Sequence, residues 1–145
     1  MRKVKDKSYG VIPVLQNRNG DEYKFLVVQS LATDEWVYPK GHKENGESEL
    51  DAAKRELSEE TGLSCDILPT LRYEDTYEFD KDGISYEKTV TYYVGLVIFH
   101  DVTIQKNEIK DYKWVTYDQA LGLLSFDRSK EILMQVKRDI AGLQK

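Results

Sequence analysis

Apolar residues recur along the chain in two rhythms, one of strands and one of helices. Residues 9–16 (YGVIPVLQ) and 24–30 (KFLVVQS) are apolar and rich in β-branched side chains, and Asn17-Arg18-Asn19-Gly20-Asp21 between them is a turn signal, so a β-hairpin is expected. Pro13 inside the first run marks an edge or a bulge, because proline cannot donate to a ladder. A strand through residues 65–68 is expected next, then two longer ones, 71–79 and 86–99, around the turn Asp80-Lys81-Asp82-Gly83. The last of these is nearly continuous in Val, Tyr, Leu and Ile, the composition of a central strand covered on both faces. A short strand at 112–115 (YKWV) follows a polar loop. Helical spacing appears three times. Leu50, Ala53 and Leu57 form one apolar stripe, with Ser48 suited to the N-cap and Gly62 to the left-handed residue after Thr61. Residues 117–124 form a short helix, and 129–143 a longer one with Ile132, Leu133, Val136 and Ile140 as its inner stripe. Strands, helix, strands and then helices predict an α/β (α+β) fold with a mixed central β-sheet and helices on both sides.

The length of 145 residues suits a single domain, 1–145. With 21 basic and 26 acidic residues the formal charge is −5, which argues against broad binding to nucleic acid or an anionic membrane. The first ten residues, MRKVKDKSYG, are basic but lead into no long apolar run, and the longest apolar stretch, near residues 94–99, is too short to span a bilayer. The lone Cys65 permits no internal disulfide and reads as a core or strand thiol. A cytoplasmic monomer that takes a small-molecule substrate, without nucleic acid or membrane, is the expectation.

The acidic residues of 41–63 (GHKENGESELDAAKRELSEETGL) change that picture. Glu56, Glu59 and Glu60 stand at i, i+3 and i+4, so their carboxylates crowd one helix face. Such crowding costs roughly 0.2–0.5 kcal/mol per pair. One reading is a solvated face balanced by Lys54 and Arg55. The other is a site for a hard divalent cation, Mg²⁺ or alternatively Mn²⁺, which prefers oxygen ligands and commonly holds substrate phosphates as well.

The whole stretch resembles the Nudix box, in which a glycine is followed after five residues by Glu and after seven more by Arg-Glu-aliphatic-x-Glu-Glu-x-Gly-aliphatic. Gly41, Glu47, Arg55, Glu56, Leu57, Glu59, Glu60, Gly62 and Leu63 fill its fixed positions. The resemblance implies an αβα sandwich and a Mg²⁺-dependent hydrolase of diphosphate linkages in nucleotides. It further implies Glu56, Glu59, Glu60 and the Gly41 carbonyl as metal ligands, Arg55 as the partner that orients a box glutamate, and Glu47 as a brace for the loop.

Other segments bear on the substrate. Trp36-Val37-Tyr38-Pro39-Lys40-Gly41-His42 and Glu87-Lys88-Thr89-Val90-Thr91-Tyr92-Tyr93 are similar to segments of the asymmetric diadenosine tetraphosphate hydrolases of that family. By that likeness Lys40, His42 and Lys88 would meet phosphate, and Glu108 in the loop before Tyr112 would bind metal or act as base. Lys88 also stands out by itself, since a lysine in an apolar central strand needs an anionic partner. Of ten tyrosines, Tyr77 and Tyr86 are the candidates to stack on a nucleobase. The competing readings are a pyrophosphohydrolase of nucleoside triphosphates or RNA 5′-triphosphates, and a nucleotide-binding regulatory module without turnover. The second would be marked by a missing box carboxylate, and none is missing. A diphosphoinositol substrate would demand a more basic pocket than Lys40, Lys43, Lys88 and Arg72 provide.

Overall fold

In the computed structural model, which describes residues 3–16 and 22–143, one sheet of seven strands is sandwiched between helices. In chain order the elements are β1 Lys3–Gln16, β2 Tyr23–Ser30, β3 Trp36–Val37, β4 Lys40–Gly41, α1 Glu49–Thr61, β5 Asp66–Lys81, β6 Ile84–Val97, β7 Ile109–Val115, α2 Tyr117–Leu123 and α3 Asp127–Leu143. The strand order is β3-β2-β1-β6-β5, with β4 on β1 and β7 on β2. The sheet is mixed, because β1 and β6 run parallel while β5 and β6, β1 and β2, and β2 and β7 are antiparallel.

Alternation along the strands divides the core in two. Val11, Leu26, Val28 and Tyr93 pack under α1 through Ala52, Ala53 and Leu57. Ile12, Val14, Phe25, Val27, Val90, Tyr92 and Val94 pack under α2 and α3 through Ala120, Leu124, Ile132, Leu133, Val136 and Ile140. The inner stripe expected for the last helix is thus the stripe that is buried. Cys65 is buried against the α1 layer, where its thiol is pushed up to about 11, mainly by burial.

Local chemistry sets the element ends. The Ser48 hydroxyl accepts from Asp51 N–H, and Gly62 closes α1 in the left-handed region at φ 74° while donating to Ser58 O. Thr116 and Gln119 form a capping box at the start of α2. Asp82 and Gly83 both have positive φ, 53° and 76°, as a two-residue hairpin between β5 and β6 requires.

Several expectations are corrected. The first strand begins at Lys3 rather than residue 9, because the charged segment before Tyr9 pairs in parallel with Ser85, Tyr86, Glu87, Lys88 and Thr89 of β6. The strands expected at 65–68 and 71–79 are one, β5, with a register shift between Leu68 and Arg72 that spans Pro69, a residue with no N–H to pair. Pro13 lies on an inner strand instead of an edge. On that side β4 ends its pairing at Gly10 and β2 begins at Val14, so the missing donor falls in a gap. The Asn17-Arg18-Asn19-Gly20-Asp21 turn lies outside the described residues, though the strands it would join do pair as a hairpin, Val14 with Phe25 and Gln16 with Tyr23.

Candidate active site

The pairing of β1 with β2 stops after Val14, Leu15 and Gln16, although both strands continue. The sheet therefore splits. β3 lines one side of the split on β2 and β4 lines the other on β1. A cleft of about 280 Å³ opens there, bordered by Tyr38, Lys40, Glu60, Asn107 and Glu108. A more open depression of about 830 Å³ along β7 and α2, lined by residues such as Tyr112, Trp114 and Gln119, contains none of the sequence candidates.

α1 supplies the carboxylates. A Cβ at Gly41 would lie 2.1 Å from Glu56 Cδ, so any side chain there would push the Glu56 carboxylate out of its present position. The helix and the β4 loop touch at that point. Arg55 ties them together: Nε donates to Glu47 Oε2 at 2.7 Å and Nη2 to Glu47 Oε1 at 3.1 Å, a fork on one carboxylate. Nη2 also donates to the His42 carbonyl at 2.8 Å, and Nη1 donates to Glu56 and Glu59, each at 3.0 Å. Glu47 accepts in addition from Glu44 N–H at 2.8 Å. The bonds from Arg55 and Glu44 hold the Glu47 carboxyl below its usual range.

Glu60 sits deepest. It is 5% exposed, and its Oε2 accepts from Lys40 N–H at 3.0 Å. Burial, then the charges of Glu56 and Glu108, push its carboxyl up to about 8. Burial likewise raises Glu56, against the pull of Arg55. Glu108 stands across the cleft, its backbone carbonyl accepting from Leu31 N–H at 2.9 Å.

The residues present fit a divalent cation. Their donor set is all carboxylate plus the nearby Gly41 carbonyl, the Glu56 carboxylate fills the space where a Cβ of residue 41 would stand, and the buried Glu60 is short of positive charge. Among the described residues no three Asp, Glu, His or Cys side chains converge on one point, because Arg55 draws Glu56 and Glu59 and the Lys40 amide draws Glu60.

On the opposite sheet face lies a cationic group. Lys88 Nζ donates to Asp6 Oδ2 at 2.9 Å and Ser8 Oγ at 2.6 Å and lies 3.5 Å from His42 Nε2. Asp6 Oδ1 is 2.9 Å from the same His42 nitrogen. The anionic partner that a buried strand lysine requires is therefore inside the chain. Burial raises the Asp6 carboxyl, but the bonds from Lys88 and His42 outweigh it and leave it below its ordinary value. Lys40 joins the two groups. Burial and Lys88 depress its ammonium, while Glu60, Asp6 and Asp75 work the other way.

Tyr77 is register-paired with Lys88, and its ring carries the Arg128 guanidinium 4.5 Å from its centroid. Arg128 is also 5.6 Å from the Phe126 ring, and its Nε lies 2.8 Å from Asp75 Oδ1. Tyr86 is farther out and stacks on Phe79 with centroids 5.0 Å apart. Arg72 turns to Glu74 and Glu49, and contributes nothing to the cleft. Asp6, Asp75 and Arg128 did not emerge from the sequence as site residues. The one available signal was Asp6 as a single acid among the basic residues that open the chain, two positions before Ser8 on the same strand face.

Residues 6–136 match the model of the NUDIX domain. The chain is 34% identical over 130 residues to the asymmetrical bis(5′-nucleosyl)-tetraphosphatase of Rattus norvegicus, covering 86% of this chain and 84% of that one. It is 45% identical to an RNA pyrophosphohydrolase of Ruthia magnifica over 51 residues, 35% of this chain and 28% of the relative. The crystal structure of a binary complex of the Ap4A hydrolase of C. elegans superposes with a TM-score of 0.83 at 25% identity, covering 94% of this chain and 98% of that one.

Proposed function

The chain belongs to the Nudix hydrolase family, and on that premise we propose that it is a Mg²⁺-dependent asymmetric hydrolase cutting diadenosine tetraphosphate to ATP and AMP. The observation that carries this reading is the cleft at the split of the sheet, where Glu60 and Glu108 face each other beside Lys40 and within the charge field of Glu56, with Lys88 close enough to Lys40 to depress its ammonium and Tyr77 paired with Lys88 on the next strand. The likeness to the asymmetrical tetraphosphatases runs through most of both chains, whereas the likeness to RNA pyrophosphohydrolase covers about a third of this one.

In this reading Glu56, Glu59, Glu60 and the Gly41 carbonyl hold Mg²⁺. When bound, the ion neutralises phosphate oxygens and lowers the pKa of the attacking water. Arg55 fixes the loop and helix that carry those groups through its bonds to the His42 carbonyl, Glu56 and Glu59. Lys40, His42 and Lys88 bind and orient the phosphate chain, so that positioning and charge supply most of the catalysis. Water attacks a phosphorus, its proton passes to a carboxylate, Glu59 or Glu108, and the P–O bond from that phosphorus to its bridging oxygen breaks, giving ATP and AMP. Tyr77, beside Lys88, stacks on one adenine; Tyr86 contributes from behind Phe79.

Anion-exchange chromatography after incubation with Mg²⁺ and diadenosine tetraphosphate, nucleoside triphosphates, ADP-ribose or 5′-triphosphorylated RNA tests the reading. ATP and AMP from the first compound, with little turnover of the others, is the expected result. Pyrophosphate release from a triphosphate as the dominant reaction would transfer the chain to the triphosphate branch.

A further inference from the structure

The seat assigned above to substrate phosphate already holds an anion. Asp6 bonds Lys88 with one carboxylate oxygen and faces the His42 ring with the other, at 2.9 Å each. We propose that Asp6 is a specificity-determining residue, an internal carboxylate that occupies the phosphate seat and that substrate must displace by exchanging one anion for another. The proposal rests on the reading of Lys40, His42 and Lys88 as the phosphate seat.

The geometry supports exchange rather than a permanent brace. Lys88 is on an inner strand, its side chain is 8% exposed, and its alternative to an anionic partner is an unpaired buried charge, which is costly. The ammonium therefore keeps one anion or another. Asp6 is the more solvent-accessible member of the pair, with its side chain 29% exposed against 8% for Lys88, so it is the one that can turn out toward water. His42 is 67% exposed and needs only a ring rotation to follow. Ser8 Oγ, at 2.6 Å, retains Lys88 Nζ in place during the exchange.

Exchange discriminates by chain length. A polyphosphate anchored at the carboxylate helix presents its next phosphates to Lys88 at high effective concentration, and so competes well with a tethered carboxylate. A monophosphate lacks that anchor and loses to Asp6. The same competition returns Lys88 to Asp6 once the chain is cut, which favours release of the short product.

The test compares wild type with Asp6→Asn, which keeps the shape and an acceptor oxygen but removes the charge. With diadenosine tetraphosphate and Mg²⁺, inhibition by AMP and by inorganic phosphate should strengthen about tenfold in the variant, roughly 1.4 kcal/mol, and the substrate KM should fall by a smaller factor. Unchanged inhibition, or a joint rise of both inhibition constants and KM, would show that Asp6 only positions Lys88 and would overturn the proposal. If Asp6→Asn does not fold, the wild-type complex with a methylene-bridged tetraphosphate analogue decides. Lys88 moved from Asp6 onto a phosphate oxygen supports exchange, and Lys88 still on Asp6 with the phosphates elsewhere refutes it. A wild-type enzyme inactive on every diphosphate-linked nucleotide removes the functional reading and this inference with it; an active one with inhibition insensitive to Asp6 removes the inference alone.

Discussion

Arg55 reaches Glu47, Glu56, Glu59 and the His42 carbonyl at once, so that one guanidinium offsets the repulsion of a helix face crowded with carboxylates. Glu60 makes no bond to it and keeps only the Lys40 amide, so burial raises its carboxyl. Two predictions separate function from stability here. Glu60→Gln removes a desolvated charge while retaining an oxygen for the Lys40 amide, so metal-free thermal stability at pH 8 should hold or rise while kcat with Mg²⁺ falls by about 100-fold or more. Unimpaired turnover would remove Glu60 from the proposed ligand set. Gly41→Ala pushes a methyl against the Glu56 carboxylate, which can swing aside, so most of the activity should be lost in steady-state kinetics while urea unfolding shifts by about 1 kcal/mol or less. At this scale the carboxylates, Arg55 and Gly41 were legible because their types and spacing lie within one short stretch. Asp6 was not, since its partner Lys88 is distant in sequence and only the parallel register of β1 on β6 joins them.

At the scale of elements, α1 was legible in its ends and most of its stripe: Ser48 caps it, Gly62 ends it, and Ala53 and Leu57 are buried while Leu50 is partly buried. Caps and periodicity are local, and so is the chemistry that enforces them. Gly62→Ala puts a Cβ on a residue at φ 74° and should lower stability by about 1 kcal/mol without changing KM, measurable by denaturant unfolding beside steady-state kinetics. Strand limits were less legible. Residues 3–8 are mostly charged or polar, and they became strand because β6 offers a ladder to pair with. Pro69 broke the pattern of β5 in the sequence, but a register shift absorbed it without ending the strand.

Across the whole molecule, the site is held together by opposing layers: α1 brings carboxylates from one face, β5 and β6 bring Tyr77 and Lys88 from the other, and Lys40 stands at the split between them. If Glu60 is a metal ligand as proposed, metal binding and proton binding compete there. The raised Glu60 carboxyl means that the metal-free fold holds this proton more tightly than the unfolded chain does. Its favourable contribution is complete below the ordinary carboxylate range and is lost as pH rises through about 8. Mg²⁺ requires the ionised form, so the gain in melting temperature on adding Mg²⁺ should grow from pH 6 to pH 9, as thermal scans with Mg²⁺ or with chelator would record. A gain independent of pH would mean that Glu60 keeps its proton or stays out of the metal site.

The sequence by itself determined the class of the fold, the helix that carries the carboxylates and the family to which they belong, because periodicity, caps and a contiguous motif are all set by residues within a few turns of one another. Tertiary structure alone decided that the sheet opens between β1 and β2, that Glu108 faces Glu60, and that Lys88 is already paired with Asp6. Those facts depend on which strands lie side by side and in what register. Register is fixed by the burial of both sheet faces together, a condition that no single stretch of the chain contains.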